Sequence, residues 1–194
     1  MSLPTGKPDL LIAQRAHLSN LLEAIQRCVY FLNASDKNLP WPLTASVLSI
    51  HKKDTDFFEA LAAVNERFSK LQDTLGSAMR HSLLLSGEHA DSFIKVLAIF
   101  EKFGVVNTID SWQTARSARN LAAHDYETDY QLVAEHFNTL HELQADLWGV
   151  AARFVRYCER DLNVQASSQD FLSEFFEITA SSKNLSTKFS LQSR

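Results

Sequence analysis

One long apolar stripe runs through the middle of this chain, and its residues recur at steps of three or four: Phe57, Leu61, Val64, Phe68, Leu71, Leu75 and Met79. Such spacing places the side chains on one face of an α-helix. Its regularity is typical of a helix that packs against an antiparallel neighbour. The chain has five Gly and four Pro among 194 residues, and so few helix breakers favour long helices.

Similar stripes predict the other helices, and no segment has a convincing strand pattern. They cover these approximate ranges: 8–33, 44–50, 93–103, 107–122 and 128–158. The sequence therefore predicts an all-α fold, an up-and-down helical bundle of four to five main helices. We expect residues 1–162 to form this bundle, and residues 163–194 to form a short amphipathic helix around 171–178 followed by a flexible tail.

Polar residues and glycines predict where the helices begin and end. We expect these capping pairs at three helix starts: Asp56 with Glu59, Asn107 with Asp110, and Thr128 with Gln131. Gly87 and Gly104 predict two helix ends. We expect three aromatic residues to be part of the core: Phe100, Phe103 and Trp112.

Charge and cysteine content exclude some classes of protein. The formal net charge is −4, which argues against binding of nucleic acid by a diffuse positive field but allows a local phosphate site. Cys28 and Cys158 have no metal-type spacing, so we expect buried, reduced thiols. We expect no cofactor and no metal. We see neither a signal sequence nor a membrane span, so we expect a cytoplasmic protein without a membrane partner.

The most informative motif is the octapeptide that runs from Arg119 to Tyr126, which contains Asn120 and His124. It combines a permanently charged guanidinium, an imidazole that titrates near neutrality and a phenol. These groups are suited to holding a phosphate and to moving a proton beside it. Arg116 lies on the same helix face as Asn120 and His124, at steps of four residues, and is a weaker candidate for substrate binding.

This octapeptide resembles the Arg–x4–His motif of the HEPN superfamily of helical ribonucleases. Tyr126 makes it similar to the HepT-like toxins, whose pattern is Arg–x4–His–x–Tyr. The upstream segment 66–76 also resembles a recurrent helix-two segment of proteins encoded beside minimal nucleotidyltransferases. The similarity covers about residues 8–160, and the chain beyond residue 160 departs from the compact family pattern.

The resemblance implies a metal-independent endoribonuclease toxin that acts on RNA as a homodimer, with the motifs of both chains in a shared groove. In that interpretation His124 is the general acid or base, Arg119 clamps the phosphate and Asn120 orients it. Tyr126 would be the residue to which a cognate nucleotidyltransferase antitoxin attaches a nucleotide, which would block RNA by bulk and negative charge.

Other interpretations stay open. The chain could be a non-catalytic helper that binds a nucleotidyltransferase and its substrate or nucleotide. It could also be a structural adaptor that docks through the Phe-rich segment 171–178. Without the family pattern, Arg119 could simply pair with Asp125 or Glu127 on the surface, and His124 could be an ordinary helix-capping residue.

Overall fold

The computed structural model describes residues 7–122 and 129–181, and these form seven α-helices and no strand. The helices are α1 (Lys7–Asp36), α2 (Ala45–Ile50), α3 (Thr55–Ser86), α4 (Phe93–Lys102), α5 (Ile109–Ala122), α6 (Tyr130–Leu162) and α7 (172–181). The prediction of an all-α bundle is confirmed. Within the described ranges, every helix is too short or too polar to cross a bilayer.

The bundle is built on α1 and α3, which run antiparallel to each other. Arg67 donates to the carbonyl of Phe31 at 3.2 Å, and the ring of His81 bonds the carbonyl of Gln14 at 2.8 Å, near the opposite ends of the pair. The stripe from Phe57 to Met79 is buried throughout. Helix α6 packs against α3 and α5 and closes the core.

Three of the predicted helix caps are wrong by one or two residues. Asp54, not Asp56, begins α3, since its carboxylate accepts a hydrogen bond from the amide of Phe57 at 3.1 Å. Thr108, not Asn107, begins α5, because its hydroxyl accepts from the amide of Ser111 at 3.0 Å. The cap of α6 is Asp129, whose carboxylate accepts from two amides of the first turn; Thr128 lies outside the described residues.

The other predicted helix ends and core residues have mixed outcomes. Gly87 and Gly104 follow α3 and α4 with φ of 76° and 68°, a left-handed conformation that favours glycine. Phe100 and Trp112 are buried as expected, but Phe103 is 49% exposed and stacks on Tyr157. Its prediction as a core residue is wrong, because at the C-cap of α4 about half of its side chain faces solvent.

The chain beyond α6 folds back along α1. The carbonyl of Gln165 accepts a hydrogen bond from the Ser19 hydroxyl at 2.6 Å, and the amide of Ser167 donates to the Ser19 carbonyl at 3.2 Å. In α7, Phe175 is fully buried and Phe176 lies under the guanidinium of Arg156. These aromatic side chains are packed on the bundle, which weakens the docking-adaptor interpretation. Residues 182–194 of the predicted tail lie outside the described part.

Candidate functional site

An arginine-lined groove lies between α3, α4 and α5. It has a volume of about 350 Å³, and it is lined by nine residues: Gln72, Asp73, Gly76, Ser77, Arg80, Phe93, Trp112, Arg116 and Arg119. Two of the sequence-predicted site residues, Arg116 and Arg119, are therefore in one groove. The groove brings together residues from three helices that are separated along the sequence.

Local packing of α5 positions its arginines. Trp112 is buried, and its carbonyl accepts a hydrogen bond from the Gln72 side chain at 2.9 Å, which ties the first turns of α5 to α3. Ala115 and Ala118 are also buried, and such small side chains let α5 approach its neighbours closely. Arg116 and Arg119 come from the next face of the same helix, so they follow the edge of this contact.

Arg119 is held by two acceptors on α3. Its Nη1 donates to the Ser69 carbonyl at 2.8 Å and to Oδ1 of Asp73 at 2.9 Å. The arginine side chain is 12% exposed, whereas that of Asp73 is 65% exposed. The buried member of this ion pair is therefore the cation, and the acid that balances it faces solvent.

An aromatic wall closes the other side of the groove. The guanidinium of Arg80 lies 5.5 Å from the centroid of the Phe93 ring, a distance at which a cation is attracted to the ring face. The ring itself rests on Gly76, where an added Cβ would meet Phe93 Cζ at 3.0 Å. Gly76 therefore allows the close approach of α4 to α3, which sets the position of both Phe93 and Arg80.

The electrostatics of the groove are cationic in an acidic protein. Arg80, Arg116 and Arg119 line it against one acid, Asp73, while the whole chain has a formal net charge of −4. Arg80 and Arg116 are exposed, so a ligand can reach them. Three guanidiniums around a concave surface are suited to a phosphate ester, because each can donate two parallel hydrogen bonds to phosphate oxygens.

The remaining site predictions have different outcomes. His124 and Tyr126 lie outside the described residues, so their roles stay predictions. Asn120 is exposed on α5 and does not line the groove. The surface partner of Arg119 that we considered, Asp125 or Glu127, is also outside the described residues; the partner found is Asp73, 46 residues earlier.

Three neighbours of the motif, Ser69, Asp73 and Arg80, were not predicted from the sequence, although the sequence contains a signal for the first two. Ser69 and Asp73 belong to the segment 66–76, which resembles the recurrent helix-two segment, and Arg119 belongs to the motif. The two stretches that carry the resemblance are thus in direct contact through Arg119. Among the residues that are described, no group of three or more His, Cys, Asp or Glu is arranged to hold a metal ion.

Comparisons of the chain with protein-family models, with curated proteins and with solved structures gave no match.

Proposed function

We propose that this chain is a metal-independent endoribonuclease of the HEPN class, a HepT-like toxin. The observation that carries the proposal is the contact of Arg119 with Ser69 and Asp73. This contact joins the Arg–x4–His motif to the upstream segment and puts Arg119 in one groove with Arg116 and Arg80. A cationic groove at the end of the helix that leads into His124 is suited to an RNA phosphate.

The chemistry assigned to these residues is transesterification within RNA. The ribose 2′-oxygen forms a bond to the adjacent phosphorus as the bond from phosphorus to the 5′-oxygen breaks. The proton of the 2′-hydroxyl must leave, and the 5′-oxygen must gain one. His124 serves as the general acid or base for these transfers. Arg119 stabilises the extra negative charge of the phosphorane, and Asn120 orients the phosphate or the imidazole.

The proposal includes a homodimer and a cognate nucleotidyltransferase antitoxin. Two motifs that face each other would supply a second imidazole to the same groove, one as acid and one as base. Transfer of a nucleotide to the hydroxyl of Tyr126 would place a phosphodiester two residues from His124. Its negative charge would occupy the arginines that otherwise bind RNA.

The test of this function is cleavage by His124→Ala. We expect RNA cleavage to fall by at least about 100-fold, because general acid–base catalysis contributes about that much. Circular dichroism and sedimentation should show unchanged helix content and unchanged dimerisation. The matched control is His136→Ala, which removes a histidine of α6 that is not part of the motif. This variant should cleave RNA like wild type. Cleavage that persists in His124→Ala would refute the assignment.

The second candidate function is a non-catalytic helper that binds a nucleotidyltransferase together with its substrate or nucleotide. The formal net charge of −4 and the upstream segment 66–76 favour it, since this segment resembles one in proteins encoded beside minimal nucleotidyltransferases. This alternative predicts nucleotide binding in the same groove, a stable complex with the nucleotidyltransferase and no RNA turnover. Calorimetry with a nucleotide and the cleavage assay on the same preparation separate the two candidates.

A further inference from the structure

A second cleft lies between α1 and α3, nearer the N-terminal end of α3 than the arginine-lined groove. Its volume is about 510 Å³, and the cations that line it are Arg27, Arg67 and Lys70. Two acids, Glu23 and Glu66, also line it. One of these, Glu23, accepts a short hydrogen bond from the Ser167 hydroxyl. None of these residues belongs to the motif that defines the proposed active site.

The two arginines of this cleft are held against aromatic rings. The guanidinium of Arg67 lies 5.6 Å from the centroid of Phe31 and donates to the Phe31 carbonyl at 3.2 Å. The guanidinium of Arg27 lies 5.6 Å from the centroid of Phe171. When a guanidinium stacks on an aromatic ring, its N–H groups stay free to donate hydrogen bonds in the plane of the group. Because the side chain is already held in place, it loses less conformational entropy on binding an anion.

The chain beyond α6 positions Arg27. Phe171 packs against Tyr30 with ring centroids 5.4 Å apart, and the segment before it is tied to α1 through Ser19. Phe171 therefore connects the C-terminal segment to the cleft. This gives the part of the chain that exceeds the compact family pattern a definite place in the molecule.

The two cationic clefts adjoin along α3. Lys70 lines the cleft beside α1, while Ser69 and Asp73 bond Arg119 in the groove. Lys70 and Asp73 are three residues apart on one helix, so their side chains are neighbours on its surface. Together the two clefts contain six of the chain's 19 Lys and Arg residues but three of its 23 Asp and Glu residues. Positive charge in this acidic protein is thus concentrated along one stretch of α3.

We propose that a single strand of RNA crosses α3 at Lys70, with phosphates bound in both clefts. This rests on the proposed function and extends it to the substrate class, an unpaired strand longer than the cleaved dinucleotide. Phe31 is 40% exposed and lies beneath Arg67, so the cleft offers both flat apolar surface and charge. Grooves that combine cations with aromatic side chains are typical of proteins that bind single strands.

The test uses 2′-O-methyl RNA, whose blocked 2′-oxygen prevents cleavage, as a fluorescent trinucleotide and a dodecanucleotide of mixed sequence. The variant is Arg27→Gln with Lys70→Gln, which removes two charges and leaves the Arg67 contact to Phe31 intact. The matched control is Arg160→Gln with Lys52→Gln, an exposed arginine and an exposed lysine that line neither cleft. Anisotropy gives the dissociation constant over a range of salt concentrations.

We expect the cleft variant to bind the dodecanucleotide at least about tenfold more weakly, with a salt slope lower by about 1.4, since each lost phosphate contact on a single strand contributes about 0.7. Binding of the trinucleotide and binding by the control variant should change less than about twofold. Phe171→Ala should weaken binding of the dodecanucleotide less than Arg27→Gln does, because Phe171 only positions Arg27. Melting temperatures show whether each variant is folded.

Four results would overturn the proposal, and they are distinguishable. Unchanged dodecanucleotide binding by the cleft variant, together with weaker binding by Arg116→Gln, would refute the second cleft but not the proposed function. If the cleft variant lost affinity equally for the trinucleotide and the dodecanucleotide, both RNAs would bind at one short site and not across two clefts. If the cleft variant lost as much affinity for a mononucleotide as for the dodecanucleotide, the ligand would be a small phosphorylated molecule instead of a strand. No binding of either RNA by wild type would refute the cleft and the proposed function together.

Cys28 gives an independent readout because it lines the same cleft, whereas Cys158, the other cysteine, is buried. Burial raises the pKa of both thiols, so alkylation has to be followed at alkaline pH. We expect the dodecanucleotide to slow alkylation of Cys28 at least about threefold and leave Cys158 unreactive until the protein unfolds. Equal Cys28 alkylation rates with and without saturating dodecanucleotide would contradict a strand in this cleft.

Discussion

Two carboxylate contacts that join distant helices differ in which partner is buried. At one end of α1 the carboxylate of Asp36 accepts from His141 Nδ1 and from the Gln144 amide, each at 2.7 Å. In the groove, Arg119 pairs with Asp73. The side chain of Asp36 is 13% exposed and that of Asp73 is 65% exposed. The acid is the buried partner in the first cluster and the exposed partner in the second.

This difference separates a structural cluster from the groove that we propose to bind RNA. Around Asp36 one carboxylate oxygen accepts from both His141 and Gln144, and the Trp41 ring stacks on His141 with centroids 4.3 Å apart, so the cluster is covered by an aromatic side chain. Around Arg119 the nearby groups include two more arginines that repel it. A buried acceptor that two donors share contributes to folding, whereas the repulsion between like charges gathered in a groove is relieved by binding an anion.

The largest effect on stability should come from Asp36→Ala. It leaves the donors of His141 and Gln144 without their acceptor in a buried site, and breaking such a cluster costs about 3 kcal/mol. Urea denaturation at neutral pH measures the free energy of unfolding. Asp36→Asn keeps one acceptor oxygen and should lose less than half as much. RNA affinity of the folded Asp36 variants should equal that of wild type, and a joint loss of affinity would remove the contrast between the clusters.

Asp73→Asn should have a smaller effect on stability than Asp36→Ala, and it should strengthen RNA binding. Removal of this exposed acid leaves the three arginines unopposed, so RNA affinity at low salt should rise about threefold. Stability should fall by less than about 1 kcal/mol, because exposed ion pairs contribute little. Asp91→Asn, which removes an equally exposed acid from the start of α4, is the control. Weaker RNA binding by Asp73→Asn would mean that the carboxylate is needed to hold Arg119 in place.

The smallest effect should come from Gly76→Ala. The added methyl group meets the Phe93 ring at 3.0 Å, so the ring and the guanidinium of Arg80 above it must move by a few tenths of an ångström. Higher helix propensity of Ala offsets part of the strain, and we expect a stability change within about 1 kcal/mol. RNA affinity should fall about twofold. Gly149→Ala on α6 is the control, and equal affinities for the two variants would show that the Phe93 wall does not matter for binding.

The helices could be predicted from the sequence because their signal is local. The stripe of α3 and the glycines after α3 and α4 gave the correct element and its end. The caps were predicted one or two residues away from the observed ones, because polar residues occur in runs at each helix start. Asp54 and Asp56, or Asn107 and Thr108, compete for the same amides. The side-chain oxygen of Asn107 does not cap α5, since it accepts a hydrogen bond from Arg153 of α6 at 2.8 Å.

The site was only half predictable. Arg116 and Arg119 were chosen from the motif, and both line the groove. Their partners on α3 could not be derived from spacing, because periodicity gives the buried face of each helix but not which helices are neighbours. The cleft beside α1 was missed for the same reason. Its cations come from α1 and α3, and no motif joins Arg27 to Lys70.

The decisive experiment for the proposed RNA cleavage in the arginine-lined groove uses a mixed RNA pool in excess EDTA. Wild type and Arg119→Ala are compared, the product ends are analysed, and intact mass shows that Tyr126 is unmodified. We expect 2′,3′-cyclic phosphate ends from wild type and at least about 100-fold less product from Arg119→Ala. No cleavage by unmodified wild type, or equal cleavage by both proteins, would contradict it.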